Sequence, residues 1–222
     1  MSSGKKQIGV ILSGAGYLDG SEIHEAVLVL LAIDEAGAEA CVFAPEGKLA
    51  EVDHISGKPT GLERGVREEA ARIARGRVAD LAGAGGAEVD GWVLPGGYGA
   101  AKNLSDFASK GAAATVNKEV GRVLREALAA QVPVGACCIA PAVVAAVAKQ
   151  ANAKLRLTVG NDPDTARVIA SMGHAHVVCA VDDIVVDADR KVVTAPAYMY
   201  DAPIAAVARG IRKMVQQVVA WA

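Results

Sequence analysis

Short apolar runs that end at glycine or proline recur along this chain, with segments of helical periodicity between them. Gln7 to Leu12 stops at Ser13-Gly14-Ala15-Gly16, and Ala40 to Ala44 stops at Pro45. Gly91 to Leu94 stops at Pro95-Gly96-Gly97-Tyr98-Gly99, and Pro133 to Ala136 runs directly into Cys137-Cys138. Runs this short have strand length, and unbroken apolar character marks a strand buried on both faces. Between them, Ile23, Val27, Leu30 and Leu31 form one stripe of a helix that Ser21 caps and Gly37 stops. Asn117 to Ala130 is amphipathic, helix resumes after Pro141 through Val143 and Val147, and Pro203 to Ala220 closes the chain with proline near its first turn. Strands alternating with helices predict an α/β fold, a parallel sheet sandwiched by helices.

Other segments depart from that rhythm. Glu46 to Thr60 is polar and broken by glycine and proline, so it reads as an excursion from the main sheet. Leu62 to Arg75 is helix-like and charged, and Leu155 to Val159 is a further strand. Ile184 to Asp187 and Val192 to Ala195 flank a turn at Ala188-Asp189-Arg190-Lys191 and predict a small late β-hairpin. A chain of 222 residues, 52% hydrophobic but only 4% aromatic, fits a single domain over residues 1–222 with an aliphatic core. Its net charge of -2 marks no nucleic-acid or membrane surface, and no run approaches the ~18 apolar residues of a membrane span. Met1-Ser2-Ser3-Gly4-Lys5-Lys6 carries no secretory pattern. Cys41, Cys137, Cys138 and Cys179 show no CxxC or zinc spacing, so all four read as reduced thiols of a cytoplasmic protein.

Chemistry concentrates at Gly135-Ala136-Cys137-Cys138-Ile139-Ala140-Pro141, where an apolar strand runs abruptly into a helix. A nucleophile at such an elbow projects above the carboxyl ends of the strands, and the helix start favours a thiolate. By position alone, both cysteines are equally well small core residues. Glu25 falls in the first turn of the first helix, near the carboxyl end of the first strand, with His24 beside it. A solvated helix-start acid and a structural histidine explain those two as well. Gly14-Ala15-Gly16-Tyr17-Leu18-Asp19-Gly20 comes near a dinucleotide fingerprint but is one residue too long. His174 and His176, near Cys179, Asp182 and Asp183, have metal-ligand spacing, but no cluster elsewhere completes a site, and no metal is expected.

Taken in order, several motifs resemble a known family. These are Ile8-Gly9-Val10-Ile11-Leu12-Ser13-Gly14, Asp19-Gly20-Ser21-Glu22-Ile23-His24-Glu25, the stretch Pro95 to Ser105, Cys138-Ile139-Ala140-Pro141-Ala142, Val181 to Asp187, and Thr194-Ala195-Pro196-Ala197-Tyr198-Met199. Nearly end to end, the chain is similar to the isoprenoid-biosynthesis proteins with an amidotransferase-like domain (the ElbB family), within the ThiJ/PfpI class I glutamine amidotransferase-like superfamily. The resemblance implies a flavodoxin-like sheet and a reactive Cys138 with the acid Glu25 beside its sulfur. It also implies oxyanion donors at Gly97 and Ile139, with Gly96 and Asn103 of the glycine-rich motif in substrate binding. The implied activity is that of a glyoxalase, which turns a small α-oxoaldehyde into a hydroxy acid without cofactor. A homodimer is implied by the habit of the superfamily.

One departure sets this chain apart from amidotransferases and PfpI-like hydrolases, which pair the cysteine with a histidine. Ile139 follows Cys138, and Thr158-Val159-Gly160-Asn161-Asp162 holds no histidine. Amide hydrolysis is therefore not expected, and the glyoxalase is expected to be weak, with His24 as the candidate for proton transfer. The competing reading is a non-catalytic redox sensor or metabolite-binding protein built on the same cysteine.

Overall fold

The computed structural model describes residues 4–222; Met1, Ser2 and Ser3, the start of the polar lead-in, lie outside the described residues. The chain runs β1 (Gln7–Ile11), α1 (Ile23–Glu35), β2 (Glu39–Ala44), β3 (Lys48–Val52), β4 (Pro59–Gly65), α2 (Val66–Ile73), β5 (Ala79–Asp80) and β6 (Gly91–Leu94). It continues through α3 (Tyr98–Lys102), α4 (Phe107–Lys110), α5 (Lys118–Ala129), β7 (Val134–Cys137), α6 (Pro141–Gln150), β8 (Arg156–Leu157) and α7 (Pro163–Ser171). β9 (Ala175–His176), β10 (Val185–Asp187), β11 (Val192–Ala195) and α8 (Ile204–Trp221) complete it. Among the described residues, the central sheet has seven strands in the order β10-β11-β7-β6-β1-β2-β5. Every pairing in it is parallel except β10 with β11. Strand order reverses between β1 and β6, so a crevice opens above their carboxyl ends, where such sheets hold their ligands.

Helices cover both faces. On one, Trp92, Leu94 and Val134 pack with residues of α5 and α6; on the other, Ile8, Val10 and Val93 pack with α1 and α8. Glycine in the strands permits the closest approaches. A Cβ on Gly9 would lie 2.5 Å from the Trp92 ring, and one on Gly135 would lie 2.9 Å from Val218 of α8. The Trp92 indole N–H, fully buried, donates to the Gly86 carbonyl at 2.9 Å.

The structure departs from the sequence reading in several places. The inward face of α1 is Glu25, Ala26, Val29, Ala32 and Ile33, while Ile23, Val27 and Leu31 of the expected stripe are exposed. Alanines let α1 settle close to the sheet and α8, so its larger aliphatics turn outward. The cap of α1 is Glu22, whose side chain accepts from the Glu25 N–H at 2.6 Å. Ser21 Oγ instead accepts from the Ser13 N–H at 2.8 Å. Leu62 belongs to β4 rather than to a helix, and only Val66–Ile73 is helical there. β8 pairs with β9 in a separate small sheet instead of joining the central one. α7 was not anticipated, although Asp162 before Pro163 is a legible start: its carboxylate accepts from the Thr165 N–H at 2.7 Å.

The polar excursion is the β3–β4 hairpin, and it clamps the loop after β1. Asp19, 1% exposed, accepts from Arg64 Nη2 at 2.6 Å and from the Val52 N–H at 2.9 Å. Arg64 also reaches Glu69 at 2.5 Å and Glu51 at 3.5 Å, so one guanidinium ties the hairpin, α2 and the loop together. Removing it strands a buried carboxylate, and losing one partner of such a pair costs more than the pair contributes. Arg64→Ala should lower stability by roughly 3 kcal/mol, read from the urea midpoint. An unchanged midpoint would show that Asp19 needs no partner.

Candidate functional site

Cys138 directly follows β7 with φ of 59°, in the left-handed region that residues with a Cβ seldom occupy. Neighbouring bonds impose that geometry. The Cys138 N–H donates to the Ala195 carbonyl at 3.0 Å, continuing the β7–β11 ladder, and the Ala140 N–H returns to the Cys137 carbonyl at 3.0 Å. The strand-to-helix elbow is thus fixed from both sides, and α6 begins at Pro141 immediately beyond. The sulfur lies among the Gly97 and Ile139 N–H groups and the Glu25 carboxyl, which faces it across Gly96.

Glu25 is fully buried on the first turn of α1. Its Oε2 accepts from the Gly96 N–H at 2.8 Å and its Oε1 from the Tyr198 N–H at 3.1 Å. The Cys137 thiol points at Oε2 from 3.9 Å. Burial pushes this carboxyl up from 4.5 to about 7, with the Glu22 charge adding to the rise and the Tyr198, Cys138 and Gly96 donors opposing it. Burial, and then the Glu25 charge, push the Cys138 thiol well above its ordinary value against the Gly97 and Ile139 N–H groups. A lowered thiol pKa was expected from the helix start. That expectation fails because the sulfur is enclosed beside an acid, and the first helical residue is a proline without an N–H. The pair holds its protons until Glu25 releases one near neutrality.

Glycine makes the meeting of these two side chains possible. A Cβ on Gly96 would stand 2.3 Å from Cys138 Cβ and 2.7 Å from Glu25 Oε2. Gly97, at φ of 91°, lies so close to the loop after β1 that a Cβ would meet the Glu22 nitrogen at 2.3 Å. Backbone bonds zip the two loops: Glu22 N–H to Gly96 O at 3.0 Å, Tyr98 N–H to Tyr17 O at 2.7 Å, and Gly99 N–H to Gly20 O at 2.9 Å. A Cβ on Gly20 would collide with the Ala15 nitrogen at 2.4 Å, so the chain's own backbone fills the loop that resembled a dinucleotide fingerprint.

The sequence candidates are distributed as follows. Cys138, Glu25, Gly96, Gly97 and Ile139 converge. Asn103 lies outside the cavity lining, where its amide donates to the Ser13 and Asp19 carbonyls at 2.8 and 2.7 Å and braces the loop. His24 faces away from Glu25, on the exposed side of α1, with Nδ1 3.0 Å from the Tyr198 hydroxyl. His174 is buried between the Ala145 carbonyl and the Leu155 N–H, and His176 accepts from the Val159 N–H at 3.3 Å. Among the described residues, no three His, Cys, Asp or Glu side chains gather as a metal site. The sequence marks no role for Tyr198, which donates its N–H to Glu25, offers its hydroxyl to His24 and borders the cavity. Only its place in the Thr194-to-Met199 motif hinted at it. Nor does it mark Glu22 or the acids at the start of α7.

Cys138 opens onto a cavity of about 470 Å³. Tyr17, Tyr98, Phe107, Ile139, Val168, Tyr198 and Met199 line it, with Glu22, Asp162 and Asp164 among them.

No family model matches the chain. It is 42% identical to the human glutamine amidotransferase-like class 1 domain-containing protein 3, mitochondrial, over 96% of this chain and 82% of that protein. It is 41% identical to the mitochondrial ES1 protein homolog of Rattus norvegicus, over 96% and 83%. Among solved structures it is similar to an isoprenoid biosynthesis protein with amidotransferase-like domain from Ehrlichia chaffeensis, with a TM-score of 0.91 and 38% identity. That match covers 97% of this chain and 99% of the other. Drosophila melanogaster DJ-1beta, at 20% identity and a TM-score of 0.56 over 97% and 96% of the two chains, shares the fold alone. The rat, human and zebrafish relatives all carry mitochondrial in their names, which overturns the cytoplasmic location expected from the sequence.

The raised Glu25 carboxyl has a measurable sign. The folded protein keeps a proton that the unfolded chain gives up from 4.5, and releases it only at about 7. This contribution to stability is complete below the unfolded value and is lost as pH rises through the folded one. Glu25→Gln should abolish that slope. Between about pH 4 and 8, wild type should lose roughly 3 kcal/mol relative to the variant in urea unfolding. Parallel profiles would mean that Glu25 titrates normally.

Proposed function

Because the chain belongs to the family of class 1 glutamine amidotransferase-like proteins, with the ES1 proteins and the isoprenoid biosynthesis protein with amidotransferase-like domain, we propose that it is a cysteine enzyme of small α-oxoaldehydes. The reaction is the cofactor-independent conversion of glyoxal, and of methylglyoxal, to the hydroxy acid. One observation carries this reading: a strained Cys138 whose sulfur lies beside a buried carboxyl of pKa about 7, with the Gly97 and Ile139 N–H groups around it.

The steps follow from that pair. Ionised Glu25 takes the thiol proton as the Cys138 sulfur adds to the aldehyde carbon, and the developing alkoxide lies toward the Gly97 and Ile139 N–H groups. The proton passes to that oxygen, giving a hemithioacetal. Glu25 then removes the hydrogen from the former aldehyde carbon and returns a proton to the neighbouring one through an enediol. An isomer results in which the sulfur is held as a thioester. Water cleaves the thioester, releasing glycolate or lactate and the free thiol, with no net oxidation. A carboxyl that titrates near neutrality serves as base and then as acid at one pH. His24 points away from Glu25 with its ring on the Tyr198 hydroxyl, so it takes no direct part in these steps.

The test is turnover of glyoxal and methylglyoxal without glutathione or metal. Cys138→Ser should reduce kcat by at least about 10³-fold, and Glu25→Gln by about 10²–10⁴-fold. No turnover by wild type with Cys138 reduced would remove the enzyme reading and leave a sensor or binding role.

A further inference from the structure

The cavity above Cys138 is far larger than the substrate of the reaction just described. A four-atom dialdehyde fills the space of two or three waters, each about 30 Å³, against a cavity of about 470 Å³. The remaining volume is not a neutral void. Tyr17, Phe107, Tyr198 and Met199 give it aromatic and thioether walls, suited to an apolar body rather than to water.

Its charge is one-sided. Glu22 and Asp162 border the cavity, and among the described residues no Lys, Arg or His lines it. Asp162 stays ionised, because the Thr165 side chain and N–H hold its carboxyl below the usual range. Asp164, the other acid of the lining, is matched by an ion pair with Arg167 and adds little net charge. Three carboxylates against one guanidinium, Arg167, leave a negative rim beside low-dielectric walls, which repels an approaching anion and attracts a cation.

We propose that the carbonyl compound Cys138 captures is carried on an extended apolar or cationic body, aromatic or long aliphatic, and that anionic aldehydes are excluded. This inference rests on the reading of Cys138 as a nucleophile toward carbonyls, and it names the substrate class of that site. Burying each further methylene improves capture about four-fold, so a phenyl group in place of hydrogen should outweigh the small size of glyoxal.

Two measurements separate this inference from the glyoxalase itself. The first uses methanethiosulfonates, in which the Cys138 sulfur displaces a sulfinate and forms a mixed disulfide, so no turnover is needed. Methyl, benzyl, trimethylammonioethyl and sulfonatoethyl reagents are compared on the wild-type protein, with Cys138 followed by peptide mass spectrometry. Rates are divided by those of 2-mercaptoethanol. The benzyl reagent should exceed the methyl one by about 10-fold, and the cationic reagent should exceed the anionic one by about 10-fold. Asp162→Asn keeps the helix cap and should shrink the cation-to-anion ratio about three-fold. An anionic reagent as fast as the cationic one, or a methyl reagent fastest of all, overturns the proposal. The second measurement is kcat/KM for phenylglyoxal against glyoxal, expected to favour phenylglyoxal at least about 10-fold. The predicted labelling order without turnover of either aldehyde would sink the glyoxalase and leave this ligand class standing. Glyoxal turnover with the labelling order reversed would do the opposite.

Discussion

A carboxyl group removed from water must find donors or stay protonated, and Glu25 does some of each. Its two oxygens draw together the Gly96 N–H after β6, the Tyr198 N–H after β11 and the cysteines at the end of β7. These segments lie far apart in sequence; parallel pairing of β6, β7 and β11 brings their carboxyl ends side by side, and the carboxyl ties the turns that follow them. It does so at the spot where the crevice opens. Its position on the inward face of α1 follows from that role, and so does the need for alanine around it, since α1 must come close to deliver so short a side chain.

Close approach is then the requirement everywhere else. Gly96 leaves room for Cys138 and Glu25 to touch across it, Gly97 and Gly20 let two loops zip backbone to backbone, and Gly9 and Gly135 let a tryptophan and α8 lie flat on the sheet. The hairpin after β2 is held by a different force, the Arg64 guanidinium on a buried Asp19, yet it serves the same loop. Asn103 braces that loop from the other side. The strain at Cys138 persists because bonds on both sides of it leave the backbone no alternative.

Much of this could be read from the sequence, and the reasons for the failures are physical. β1, β2, β6, β7 and the late hairpin were visible as short apolar runs with turns after them, and the elbow was visible because a strand ran straight into a helix. The stripe on α1 was misread because apolar periodicity counts large side chains, while this helix buries small ones and an acid. Glu25 was singled out by resemblance more than by pattern, since an acid in a first helical turn is ordinarily solvated. Tyr198 and Glu22 escaped because their principal contributions, a backbone N–H and a cap, leave little trace in residue type. β8 pairs outside the central sheet, which no local pattern distinguishes. The cytoplasmic expectation leaned on unpaired cysteines, which speak to redox state and do not distinguish one reducing compartment from another.

The absence of histidine at the elbow gives the site its chemical character. A cysteine beside an imidazole separates charge, so a thiolate stands ready and the imidazolium can protonate a departing amine. A cysteine beside a buried carboxyl cannot, because two acids in one enclosure resist ionising together. Only one proton moves at a time, and it must be returned nearby. Amides, whose nitrogen must leave protonated, are poorly served by such a pair. Aldehydes suit it, because the proton taken from sulfur is given back to the oxygen of the same molecule, and the carbon-to-carbon transfer that follows again removes and returns a single proton. In the proposed reaction the Gly97 and Ile139 N–H groups would stabilise the oxygen anion without contributing a proton of their own. The proposed chemistry is therefore what remains when the elbow, its donors and its acid are kept and the base that would have made a hydrolase is missing.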